Sequence, residues 1–220
     1  MNNLAHNLQE SYHDTRFTFD DRREILWKAL CDFWFSRYVD NKSVILELGA
    51  GYCHFINNIS GKTKYALDLW DGVTKFAKPD VKSIVGSASE LSSIENHSVD
   101  FVFASNLFEH LTKEQFAETL KQVRRILKQG GTVNILQPNY RFCYDEYFDD
   151  YTHVAVWSDR SIVDFIEANG YRVLESWPKF LPLTVKSIFP VSRTLIRLYL
   201  MLPFRPMGKQ MFIRCTPVQG

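Results

Sequence analysis

Apolar positions along the chain follow two alternating patterns. Short, nearly unbroken apolar or β-branched runs at 43–48, 64–68, 81–85, 99–105, 132–136, 171–177 and 210–215 predict strands. Between them, apolar residues recur three and four positions apart. Residues 21–38 place Ile25, Leu26, Ala29, Leu30, Phe33 and Phe35 at helical spacing. Thr112 with Gln115 three residues later forms a capping box, and Phe116, Leu120, Val123 and Leu127 continue one stripe that Gly130-Gly131 ends. Ser158 caps another helix, containing Ile162, Phe165 and Ile166, which Asn169-Gly170 closes. The runs VILEL and VDFVFAS are almost wholly apolar, as expected of strands covered by helices on both faces. The chain therefore reads as an α/β protein with a doubly wound, seven-stranded, mostly parallel sheet and an N-terminal helical cap. Its expected organisation is a cap at 1–40, a core at 41–177, an insertion at 178–209, and a final strand and tail at 210–220.

Composition narrows the class. Of 220 residues, 45% are hydrophobic and 23% charged, with only 10 Gly and 8 Pro, which excludes disordered, collagenous and coiled-coil chains. A net charge of +1 argues against a whole-protein field that draws in nucleic acid. Cys31, Cys53, Cys143 and Cys215 lie far apart with no CxxC pair, so neither a zinc ribbon nor a disulfide framework is expected, nor any other metal site. The polar start carries no leader pattern, and the apolar run 195–204, broken by Arg197, is far short of a membrane span. A cytoplasmic protein is expected. Charge is uneven, however: no acidic residue follows Glu175, while Lys179, Lys186, Arg193, Arg197, Arg205, Lys209 and Arg214 are basic.

The sharpest chemical signal is the first strand running into Gly49-Ala50-Gly51. Gly49 can take a positive φ in a tight turn, Gly51 allows close approach of a ligand, and a following helix would present unpaired N–H groups. Asp68, 17 residues after Gly51 at the tip of the second strand, is placed to accept both hydroxyls of a ribose. A dinucleotide fold would need Gly or Ala where His54 stands, and no P-loop is present. Glu47 would repel a pyrophosphate and favour a cation. The pattern suits a phosphate-free, positively charged adenosine compound, a description that S-adenosylmethionine (SAM) meets.

Five stretches in order resemble the class I, Rossmann-like SAM-dependent methyltransferases: Glu47-Leu-Gly49-Ala-Gly51, Tyr65-Ala-Leu-Asp68-Leu, Gly86-Ser87-Ala88, the run from Asp100 through Asn106 to Glu109-His110, and Lys128-Gln-Gly130-Gly131. The resemblance implies SAM as cofactor. It implies a cofactor site made of Glu47, Gly49, Ala50 and Gly51, of Asp68 and Leu69, and of Ser87, Ala88 and Asn106. Two positions depart from the pattern: Cys53 replaces a glycine, and Ser87 replaces the acid beside the adenine. Asp100 is expected to cap a turn, and His54 to lie on a helix surface.

In such sheets, acceptor groups come from beyond the C-terminal ends of the strands. That selects the loops after strands four and five, and within them His110 and His153 as candidate general bases, each with a structural role as the alternative. Residues 137–157 interleave Tyr140, Phe142, Tyr144, Tyr147, Phe148, Tyr151 and Trp157 with Asp145, Glu146, Asp149 and Asp150, which suits a sugar or another hydroxylated ring, or else a solvated acidic loop pinned by core aromatics. Gln137-Pro-Asn-Tyr140 is similar to a motif of DNA amino-methyltransferases but follows the wrong strand, so a nucleic-acid acceptor is not expected. The basic, apolar insertion, with Arg193 and Arg197 one helical turn apart, fits either an anionic membrane surface or lipid-linked substrate, or a substrate lid or dimer surface; the second reading weighs slightly more. The arrangement as a whole, including Asp20-Asp21-Arg22-Arg23, resembles methyltransferases of bacterial polysaccharide or glycolipid pathways, implying methylation of a sugar hydroxyl. A catalytically silent SAM-binding scaffold and a nicotinamide oxidoreductase remain as alternatives; the latter is opposed by His54.

Overall fold

The computed structural model describes residues 21–183 and 192–218; the first half of the expected cap, with Asp20, and Lys186, Pro190 and Val191 of the insertion lie outside the described residues. Helix α1 (Asp21–Phe33) leads, through a 3-10 turn at Phe35–Arg37, into β1 (Val44–Leu48). Strand β2 (Thr63–Asp68), a short α2 (Val73–Phe76), β3 (Val81–Val85) and β4 (Val99–Ser105) follow. Next come α3 (Lys113–Ile126), β5 (Leu127–Pro138), α4 (Tyr140–Cys143) and α5 (Asp159–Ala168). Strand β6 (Tyr171–Leu181), α6 (Arg193–Met201) and β7 (Gln210–Pro217) complete the fold.

The seven strands form one sheet in the order β3-β2-β1-β4-β5-β7-β6. The first five pair in parallel, and β7 runs antiparallel to both β5 and β6. Apolar alternation sorts the two layers. Leu46, Leu48, Val102 and Ala104 pack with Phe116, Leu120 and Ile162 from α3 and α5. Ile45, Phe101 and Phe103 pack on the opposite face with Leu30, Trp34 and Phe35 from the N-terminal segment. Both capping boxes read from the sequence are formed, at Thr112–Gln115 and Ser158–Ser161. The strand order reverses between β1 and β4, which opens the crevice where ligands of such sheets bind.

Three local expectations need correction. Residues 54–59 form successive turns rather than a regular helix, so the Gly-x-Gly loop is not followed by an extended helix N-terminus. Gly130-Gly131 does not form a separate turn: α3 ends at Ile126, β5 begins at Leu127, and the register shift between Val99 and Phe101 absorbs the diglycine as an irregularity in the ladder. Strand β6 runs through Pro178 to Leu181, shortening the insertion; as an edge strand paired only with β7, it tolerates a residue without an N–H, at a register shift between Trp177 and Leu181.

Phe35 is wholly buried between Phe55 and Phe103, with ring centroids 5.2 and 5.0 Å away. Truncation to Ala leaves a cavity at the centre of that layer. Phe35→Ala is expected to lower unfolding free energy by about 3–5 kcal/mol, read as a shifted urea midpoint at unchanged slope.

Candidate active site

At the tips of β1, β2 and β4 the backbone assembles one wall of an open cleft of about 720 Å³. The amides of Gly49 and Ala50 both donate to Leu67 O, at 2.9 and 3.1 Å, folding the turn back over β2. Gly49 has φ +67°, and a Cβ there would sit 3.1 Å from Leu107 Cδ1, so both conformation and space call for glycine. Cys53 has φ +58° while wholly buried. The position that departs from the resembled pattern thus keeps the left-handed backbone that glycine favours, and the turn survives the substitution.

Asp68 faces this turn. Its Oδ2 accepts from the Gly51 amide and its Oδ1 from the Trp70 amide, both at 2.8 Å. Two backbone bonds hold the carboxylate at the strand tip, the position from which a ribose diol is gripped. Glu47, 4% exposed, accepts from the Ile56 amide at 3.1 Å. Burial pushes its carboxyl well above the ordinary carboxylate range, and the charge of Asp68 adds to the effect. A cation entering the cleft would favour the ionised form. Leu69, half exposed, Ser87, Ala88 and Gly86 continue the lining, and a Cβ on Gly86 would meet nothing within 4 Å, which leaves open space there. The Ser87 hydroxyl pairs with that of Ser89 at 2.8 Å. Asn106, at φ +49°, accepts from Gln210 Nε2 at 3.3 Å. All nine expected cofactor residues line this one cleft.

Two other residues have definite places. Asp100 lies away from the cleft and accepts from the Val44 amide and from Lys128 Nζ, both at 2.8 Å, tying β4 to the start of β1. His54 is not on a helix surface: it is 5% exposed and pairs through Nδ1 with Glu24 of α1 at 3.1 Å.

The other end of the cleft is built by the loops after β4 and β5. Val154 and Ala155 amides both donate to Glu109 O, at 2.9 and 3.1 Å, and Trp157 Nε1 donates to Phe108 O at 3.1 Å. The far loop is anchored by buried Asn139, whose Nδ2 donates to Asp159 Oδ1 at 2.8 Å and to Pro178 O at 3.0 Å, while Arg141 pairs with the same carboxylate at 2.9 Å. The aromatics divide: Tyr147 and Trp157 are buried, while Tyr144, Phe148 and Tyr151 are exposed.

These ties bring His110 and His153 together, their ring centroids 4.9 Å apart. His153 Nδ1 lies 2.6 Å from Tyr147 O, and His110 Nδ1 lies 2.9 Å from Thr152 Oγ1. Burial, then the neighbouring His153, push the His110 pKa down to about 4, so this ring is neutral at physiological pH. Beside them stands Glu109, wholly buried, its carboxyl pushed up to about 8 by burial and by the charge of Asp150. Sequence reasoning singled out both histidines but gave Glu109 no role. It also missed α1 as a wall, although Arg23, Trp27 and Leu30, at i, i+4 and i+7, line the cleft. That spacing was the available signal.

A profile of the methyltransferase domain family matches residues 46–135, the segment from β1 to β5. Among solved structures, a SAM-dependent methyltransferase from Archaeoglobus fulgidus superposes with a TM-score of 0.66 at 19% identity, covering 94% of this chain and 98% of that one. A SAM-dependent methyltransferase from Clostridium acetobutylicum gives a TM-score of 0.60 at 14% identity, over 99% and 100% of the two chains. No curated protein sequence matches significantly. At these identities the structural likeness establishes the fold alone, and the family match covers the segment from β1 to β5. The open space at Gly86, the anchored Asp68 carboxylate and the buried Glu47 fit a cationic adenosine compound. Residues 46–135 thus match the methyltransferase domain family, and the chain has the Rossmann-like fold of SAM-dependent methyltransferases, a likeness that implies S-adenosylmethionine as cofactor.

Proposed function

We propose that the protein transfers a methyl group to a hydroxyl of a small polar acceptor, a sugar of a polysaccharide or glycolipid precursor being the best fit. One observation carries this reading: the cleft that holds Asp68 at one end holds His110 and His153 at the other, in a single continuous space. When bound, SAM supplies an electrophilic methyl group on a sulfonium sulfur. Asp68 would hold the ribose, Glu47 would balance the positive charge, and the residues from Gly49 to Gly51 would admit the ligand close to the backbone. Holding two reactants in line contributes roughly 7–11 kcal/mol to such a displacement. His110 and His153 stand where the acceptor hydroxyl must lose its proton, and Glu146, Asp149 and Asp150 on the rim offer acceptors for the other hydroxyls of a sugar. A scaffold without activity would have no need of two paired, half-buried histidines at this end of the cleft. A nicotinamide enzyme is disfavoured by His54, which stands where a dinucleotide motif has Gly or Ala.

The insertion supports a second reading, contact with an anionic membrane. Leu195, Leu198 and Leu202 are exposed at i, i+3 and i+7 on and just beyond α6, next to exposed Met201 and Phe204, while the other face packs through Leu200 on the core. Arg193 pairs with Asp32, and Arg193 and Arg197 lie over the Phe33 ring. No described helix is long and apolar enough to cross a membrane. An apolar stripe with flanking basic residues suits shallow insertion instead.

Calorimetric titration is expected to show one site for SAM and for its demethylated product, and none for NAD. Asp68→Ala should weaken SAM roughly ten- to a hundredfold, the loss of a charged hydrogen bond of about 1.5–3 kcal/mol; preference for NAD would overturn the reading. Incubation with labelled SAM and nucleotide-sugar or lipid-linked acceptors should then yield a methylated sugar. For the membrane contact, cosedimentation with anionic vesicles at low salt is expected, and should drop sharply in Leu198→Asp; no binding at low salt would end that idea.

A further inference from the structure

Glu109 poses the sharpest unanswered question in the molecule. Its side chain is 0% exposed, and neither carboxyl oxygen has a hydrogen-bond partner among the described residues. Leaving a carboxyl group buried without partners is costly, and such a group in a native structure calls for a ligand. Two imidazoles stand beside it: one donor atom each from Glu109, His110 and His153 all lie within 4.8 Å of one another.

The hydrogen bonds at Nδ1 define the tautomer of each ring. His153 Nδ1 meets the carbonyl of Tyr147 at 2.6 Å, and a carbonyl only accepts, so Nδ1 carries the proton. His110 Nδ1 meets Thr152 Oγ1 at 2.9 Å, and that hydroxyl already donates to Asp150 Oδ1 at 2.6 Å, so it accepts from the ring. Both rings therefore hold the Nδ1 proton and carry their lone pair on Nε2. Metal-binding histidines are oriented in this way, one nitrogen donating to a carbonyl or other acceptor and the other left basic toward the ion.

We propose that Glu109, His110 and His153 bind a divalent transition-metal ion of the zinc type at the acceptor end of the cleft. Two neutral imidazoles and one carboxylate match the borderline ions that take mixed nitrogen and oxygen donors, whereas magnesium and calcium prefer oxygen alone. Three protein ligands leave a coordination position open toward the cleft. The ion's role in catalysis rests on the methyl-transfer reading above: it would hold the acceptor hydroxyl and make its proton easier to lose to water, relieving the imidazoles of acting as free bases. Binding of the ion does not depend on that reading.

The test is titration of chelator-stripped full-length protein with Zn²⁺ and separately with Mg²⁺, by calorimetry. One Zn²⁺ per chain is expected at micromolar affinity or tighter, with Mg²⁺ at least a hundredfold weaker. Glu109→Gln and His153→Ala should each weaken Zn²⁺ at least tenfold while leaving SAM affinity within twofold. Co²⁺ loaded on the unaltered protein should give ligand-field bands of a nitrogen–oxygen site without a thiolate charge-transfer band, which keeps the question answerable if a variant misfolds. Stripped protein that binds SAM but not Zn²⁺ would overturn the proposal, as would Zn²⁺ affinity unmoved in both variants or a thiolate band. Tight, variant-sensitive Zn²⁺ binding without SAM binding would leave the metal site standing and remove the methyl-transfer reading instead.

Discussion

Burial of β1 and β4 on both faces is the constraint on which the rest of the structure depends. Strands with apolar residues on each side must be covered by two helical layers, and parallel pairing forces the crossovers that supply them. Because the sheet order reverses between these two strands, the helices diverge there and leave a crevice at their C-terminal tips. Glu47 and Asn106 sit at or just past those tips, and Asp68 ends the neighbouring β2. The polar chemistry is placed where the apolar strands run out, and the cleft follows from packing the core.

The end of the cleft formed by the loops after β4 and β5 depends on a different kind of interaction. Parallel pairing of β4 with β5 starts the two following loops side by side, and two amides on the Glu109 carbonyl and the Trp157 indole on the Phe108 carbonyl then join them. The same bonds that satisfy a buried carbonyl carry His153 to His110. This end therefore combines rigidity, from the Asn139–Asp159–Arg141 anchor, with a buried acid whose carboxyl has no hydrogen-bond partner among the described residues. A group of this kind departs from the rule that buried polar groups are satisfied within the chain, a departure characteristic of functional or strained sites.

The amino-acid sequence by itself determined the alternation of strands and helices, both capping boxes, the glycine turn and the carboxylate of Asp68, because each arises from residues close together in the chain. Periodicity, capping and turn chemistry act over one to four residues, and the fold class follows from their order. Where neighbours in space overrode local signals, the sequence misled: His54 is drawn inward by Glu24, the diglycine is absorbed into β5, and Pro178 is carried within an edge strand. Only the tertiary structure decided that α1 walls the cleft and that Glu109 joins two histidines. His110 and His153 are 43 residues apart, and their meeting depends on hydrogen bonds between two loops, which no periodic pattern in either loop encodes.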